Sequence, residues 1–163
     1  MASGNTLLIF RPGDNEPPAS NFATLDLRNG HPTLDFDTTT QEAAIFTGVL
    51  PRTYAGGGIT VYVHWSATSA TTGTIGWDVT FERIGTAQDI DSDGFATAQT
   101  VTAATVSATS GVVTITSVAV ADGSAGTDSL AVGEAFRLRI RRDVANDTAA
   151  GDAELLAVEL KET

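Results

Sequence analysis

The sequence predicts an all-β fold, an antiparallel β-sandwich or jelly roll of about eight to ten short strands with an extended Pro-rich N-terminal arm. Three observations predict it. Residues 58–84 read GITVYVHWSATSATTGTIGWDVTFERI, two runs that alternate apolar and polar residues. Thr, Val, Ala and Gly dominate the composition, while the helix-favouring Lys and Leu are scarce. Turn residues recur between short apolar runs along the whole chain.

In the first run of 58–84, Ile59, Val61, Val63 and Trp65 share one face, and Thr60, Tyr62, His64 and Ser66 share the other. In the second, Ile75, Trp77, Val79 and Phe81 oppose Gly76, Asp78, Thr80 and Glu82. Each run offers one face to a core and one to water. The expectation is a central hairpin whose tryptophans pack across paired strands, each such pair adding roughly 0.2–1 kcal/mol.

Before this hairpin, Thr6–Phe10 is a short apolar strand, ended by the turn-rich residues 11–18. Three of the five prolines lie there, which excludes a helix and a central strand. The segment reads as an arm, an edge connector or a surface loop. Residues 23–27 and 32–36 alternate around Asn29-Gly30, a strong hairpin-turn signal. Residues 44–50 form a further strand, ended by Pro51, and Gly56-Gly57-Gly58 lacks the Lys and Ser/Thr of a phosphate-binding loop.

After the hairpin, residues 85–95 form a loop, and 99–106 and 111–120 are Thr/Val-rich strands. Residues 134–142 place Phe136, Leu138 and Ile140 inward and Arg137, Arg139 and Arg141 outward, with Arg142 extending the stripe. Residues 153–160 fit both helical and strand spacing. Strand is preferred, because a short loop lets this segment return antiparallel to the Arg-rich strand, with Glu154 and Glu159 facing its arginines. Residues 1–22 thus form an N-terminal strand and arm, and residues 23–163 a single sandwich domain.

The 163 residues carry a net charge of −11 and no cysteine. The negative balance opposes binding to nucleic acid and to anionic membranes. Disulfides and thiolate metal sites are excluded. The apolar run Leu7-Leu8-Ile9-Phe10 is too short for a signal peptide or a membrane span, so synthesis in a cytoplasm is expected.

Little of the chain suggests catalysis. Asp89, Asp91, Asp93 and Gly94 match the start of a calcium loop, but the twelfth position is Thr100 where an EF-hand needs a bidentate Glu. The alternatives are a calcium site completed by other oxygens and an acidic surface loop. His31 and His64, the only histidines, have no metal-ligand spacing. No nucleophile-elbow motif is present. Carboxylates on or near strands (Asp26, Asp35, Asp37, Asp78, Glu82) could pair only in a way that sequence does not reveal. The arginine stripe is expected to answer Asp78 and Glu82 within the chain, or else acids on a neighbouring subunit.

Three blocks carry a family resemblance: NEPPASNFATLDLRNGHP at 15–32, GGITVYVHW at 57–65 and AFRLRIRRD at 135–143. They resemble small structural proteins encoded near the head genes of tailed bacteriophages and, more loosely, the jelly-roll decoration (cement) proteins of their capsids. The resemblance implies a non-enzymatic homotrimer at threefold positions of the capsid surface, assembled in the host bacterial cytoplasm. Its partner would be the major capsid protein. Its arm, here the Pro-rich region from Pro12 to Pro18, would cross to neighbouring capsomers. The contact residues would be Arg11, Pro12, Pro17, Pro18, Arg28, His31, Arg137, Arg139 and Arg141. The alternative function is a carbohydrate-binding sandwich, calcium-assisted or not, with Tyr62 and Tyr54 as its candidate exposed aromatics. A small sandwich enzyme ranks third, since the chain lacks a histidine cluster.

Overall fold

A computed structural model describes residues 4–163, which build two antiparallel sheets packed face to face. The strands are β1 (Thr6–Phe10), β2 (Thr24–Arg28), β3 (His31–Phe36), β4 (Ala43–Val49), β5 (Ile59–Ala67), β6 (Thr74–Ile84), β7 (Gln99–Thr105), β8 (Thr114–Val120), β9 (Ala135–Arg142) and β10 (Ala153–Glu162). One sheet runs β2-β3-β10-β5-β8, with β1 also paired to β10. The other runs β4-β9-β6-β7. β10 is long enough to share one edge between two partners: Ala153, Glu154 and Leu155 pair with β3, and the stretch around Val158 and Leu160 pairs with β1. Its opposite edge follows β5, with a bulge between Leu155 and Ala157.

The expected strands form, including the ambiguous β10, but two expected pairings do not. β5 pairs with β10 and β8, whereas β6 pairs with β9 and β7. The run 58–84 is therefore not a hairpin. Its two strands lie in opposite sheets. Residues 68–73 are long enough to cross the ~10 Å between sheet layers, where a two-residue turn would have held the strands side by side. Trp65 and Trp77 consequently meet through the core, with ring centroids 6.4 Å apart. Phe36 meets Trp77 edge-on at 5.0 Å. Gly73 closes the crossing at φ +91°, and a Cβ there would fall 2.8 Å from the Ala149 backbone.

β9 and β10 separate in the same way, so Glu154 and Glu159 do not face the arginine stripe. The crossing between them is fixed by Arg142. Its side chain points inward, opposite to Arg141, and is fully buried. It donates from Nε to Asp147 at 2.6 Å and from its terminal nitrogens to the carbonyls of Phe36, Ala149 and Gly151 and to Thr38 Oγ1. Period two explains this reversal, because adjacent residues of one strand face opposite layers.

Asn29 and Gly30 both adopt positive φ (48° and 78°), as a tight two-residue hairpin requires, and join β2 to β3. The Pro-rich segment lies against the body instead of extending from it. Pro12 is buried, Glu16 N–H donates to Ile45 O, and Ile45 N–H donates to Asn15 Oδ1. Ala23 and Asn21 exchange backbone bonds with Ala43. The segment therefore caps the outer edge of β4, which corresponds to the edge-connector reading.

Replacing Arg142 by Ala strands Asp147 and three carbonyls in the interior. We expect Arg142→Ala to lose about 3–5 kcal/mol in urea unfolding, the range for breaking a buried ion pair.

Candidate functional site

The outer faces of the two sheets differ. On the β4-β9-β6-β7 sheet, Asp78, Thr80 and Glu82 point outward but are buried. The arginine stripe covers them. Arg137 pairs with Glu82 at 3.0 Å and Arg141 with Asp78 at 3.5 Å. Phe95, from the loop after β6, lies under the guanidinium groups of Arg137 and Arg139 at 4.8 and 4.3 Å. Burial, with Arg141 alongside, pushes the Arg139 pKa down from its ordinary value, and burial pushes Asp78 up. This face is largely closed by the chain's own side chains.

The other face is partly open along Thr60, Tyr62 and His64 and buried at Thr33, Ser66 and Glu154. Along β5, Tyr62, His64 and Ser66 point outward. Cross-strand partners continue the rows: Glu159, Tyr62 and Ser117; Ala157, His64 and Ile115; Asp35, Glu154 and Ser66. Tyr62 is half-buried, and Lys161 Nζ lies 5.9 Å from its ring centroid. At the Ser66 end the face deepens into a cleft of about 470 Å³ lined by Arg28, Asn29, His31, Thr33, Ser66 and Leu156, with Ser110, Gly111 and Val113 across it. Arg28 spans the cleft's base, donating to Glu154 at 2.5 Å and to Ala67 O at 3.0 Å. Ser66 donates to the same Glu154 oxygen at 2.8 Å. Gly111, at φ +81°, lets the opposite wall approach Arg28, which a Cβ would meet at 2.7 Å.

Carboxylates gather beside this cleft. Asp35 stands opposite Glu154, and burial, then Glu154 and Asp26, push its carboxyl up to about 6. A hydrogen bond from Thr33 partly offsets the rise. The pairing of Asp35 with Glu154 is hidden in the sequence because it depends on the register between β3 and β10, which brings together residues 119 positions apart in the chain.

The remaining expected residues are scattered. Arg11 and Pro17 are exposed on the capping segment, and Pro18 is half-buried there. His31 is exposed at the cleft's rim. Tyr54 does not face solvent: its hydroxyl donates to Asp122 and accepts from Gly58 N–H, and burial and Asp122 push its pKa to about 12. The alternative reading therefore keeps only Tyr62 of its two tyrosines. Asp89 is tied into a turn by accepting from Asp91 N–H, and Asp93 accepts from the Gln88 amide. Among the described residues, no three His, Cys, Asp or Glu side chains form a group that could hold a metal ion.

No family model matches the chain, and no curated protein matches it. Solved structures do. A family 35 carbohydrate-binding module from Cellvibrio japonicus Abf62 overlays with a TM-score of 0.56 at 8% identity, covering 94% of this chain and 92% of its own. A second family 35 carbohydrate-binding module, from an environmental isolate, gives 0.56 at 7% identity, covering 96% and 94%. At these identities the likeness defines the fold: this chain is a jelly-roll β-sandwich.

The raised Asp35 carboxyl sets the sign of a pH effect. Between about 4 and about 6 the native state binds the extra proton, so stability falls as pH rises through that window. Asp35→Asn removes the repulsion. Its melting temperature should exceed the parent's at pH 7–8, and the difference should shrink towards pH 4.

Proposed function

We propose that the chain is a carbohydrate-binding module whose ligand lies along β5 on the partly open sheet face. The observation that carries this is the alignment on one strand of an accessible aromatic ring, Tyr62, with the polar cleft at Ser66, ~13 Å further on. A sugar offers an apolar ring face and a rim of hydroxyls. Tyr62 supplies the stacking surface, while Asn29, His31 and Ser110 supply donors and acceptors at the other end. The fold shared with carbohydrate-binding modules supports the reading. Asp26, Asp35, Asp152, Glu154 and Glu159 outnumber Arg28 and Lys161 near this face, which favours neutral over anionic glycans.

On a glycan array, neutral oligosaccharides should bind and uronate- or sialate-terminated ones should not. Tyr62→Ala should weaken binding by about tenfold or more, a stacking contact's worth. A chelator should leave binding intact, because the aspartates at 89, 91 and 93 are in a different loop. Loss of binding on chelation would instead assign the ligand to a calcium-assisted site.

A second reading is favoured by the exposed apolar surface of the β2 hairpin, where Leu25 and Leu27 are 60% and 66% exposed. We infer from it, and from the resemblance to phage structural proteins, a decoration role. Homotrimers would bridge capsomers of the major capsid protein on the virion surface, many weak contacts adding up around the shell. Mixed with DNA-free expanded capsids of a tailed phage, the protein should cosediment and raise the capsid's melting temperature. Recovery in the supernatant with no shift removes this reading.

A further inference from the structure

The geometry points to β2 as a docking edge for an extended strand of a partner protein that alternates apolar and basic residues. The inference stands apart from the carbohydrate reading, since it uses the edge of the sheet and not its cleft, and it shares exposed Leu25 and Leu27 with the decoration reading. Among the described residues, β2 pairs only with β3 and ends its sheet. The two-residue turn makes Arg28 and His31 a hydrogen-bonded pair, so Asp26 with Thr33 and Thr24 with Asp35 are bonded pairs too. Leu25 and Leu27 then turn their N–H and C=O groups to the open side. Two facts agree. Pro32, which has no N–H, sits opposite Leu27, and Leu27 N–H is met by the adjacent Asp26 carboxylate at 2.7 Å.

Side chains on this edge sort by charge. Leu25 and Leu27 project on the core-side face beyond the cover of the opposite sheet, beside exposed Phe22 and Pro32. A groove of about 260 Å³ runs from Leu25 to Pro12 and Pro17. On the other face stands Asp26, exposed and in no ion pair among the described residues, close enough to Asp35 to raise its pKa. An added strand repeats the alternation of its neighbour, so the residues opposite Leu25 and Leu27 would be apolar and the residue opposite Asp26 basic. That cation would also draw the Asp26 carboxylate away from Leu27 N–H and free it for the ladder. A second copy fits worse. A twofold pairing centred on Asp26 puts Asp26 against itself, and one centred on Leu27 needs Arg28, already bound to Glu154 at 2.5 Å. Each copy also carries a net charge of −11.

The test uses the full chain and a fluorescent Lys-Val-Lys-Val-Lys-Val-Lys peptide. Controls are a Glu-Val alternating peptide and a block peptide with all lysines before the valines. The alternating Lys peptide should bind and slow hydrogen exchange at the Leu25 and Leu27 amides. Asp26→Lys should weaken it by about tenfold or more and admit the Glu peptide instead. Leu25→Pro, which deletes an outward N–H without touching the ladder to β3, should abolish binding with the melting temperature retained. The proposal is overturned by no binding to the parent chain, by equal binding of the block peptide, or by protection that misses Leu25 and Leu27. It is also overturned if these amides become protected without peptide as the protein dimerises, which would make a second copy the occupant.

Discussion

The contact on which the molecule depends is the meeting of Trp65, Trp77 and Phe36 between the sheets. Three strands, β5, β6 and β3, each contribute one ring, and all three rings are fully buried. Aromatic pairs add about 0.5–1.5 kcal/mol beyond the area they bury, and they do so here across layers. That choice dictates the topology. Once Trp65 and Trp77 face one another, β5 and β6 must occupy opposite sheets, and the polar face of each must point away from the interface. Arg142 repeats the device at the next crossing by tying β9 to the carbonyls around β3 and the 143–152 loop.

With the inner faces committed, function falls to the outer ones, and the arginine stripe decides between them. Arg137 and Arg141 neutralise Glu82 and Asp78, and the Phe95 ring stacks against the guanidinium groups of Arg137 and Arg139. The β6 face is therefore covered by its own chain. The β5 face is covered only at its Ser66 end, where Arg28 lies against Ser66 and Glu154, and stays accessible at Tyr62 and His64. It has a single lysine, one arginine already bound to Glu154, and a surplus of carboxylates that adds to burial in leaving Asp35 reluctant to ionise. The proposed binding surface is the end of the sheet built from the β2–β3 hairpin and β10, where Asn29 and His31 are exposed beside the cleft.

Period two made the strands legible, down to the inward turn of the tryptophans and the outward turn of Arg137, Arg139 and Arg141. Asn29-Gly30 named its hairpin because few residues accept positive φ at two successive positions. Beyond that hairpin, pairing was not legible. An alternating strand is equally satisfied beside its sequence neighbour or across from it, so residues 58–84 read as a hairpin although the loop at 68–73 crosses between sheets. The candidate site shares this limit. Tyr62 and Ser66 share a strand and could be seen together, but Glu154 reaches them only through the β10 register, and Asp35 only through β3. Arg142 reads in the sequence as an extension of the outward stripe, yet it shares the parity of Phe136, Leu138 and Ile140 and is buried with them.

The β2–β3 hairpin joins the cleft and the open edge physically. Its turn carries Asn29 and ends in Arg28 and His31 at the cleft, while Asp26 stands one pleat away on the same face. Asp26 is one of the charges that raise Asp35. A cation held against Asp26 cancels part of that field and lets Asp35 ionise more readily. Linkage then requires the reverse: an ionised Asp35 strengthens the hold on that cation. The carboxylate row thus links a cation on the edge to Asp35 over a single hairpin without any change of fold, since the two charges already lie within one another's field. Below pH 6, where Asp35 is protonated, the edge loses that contribution and keeps only its apolar face and its open backbone groups.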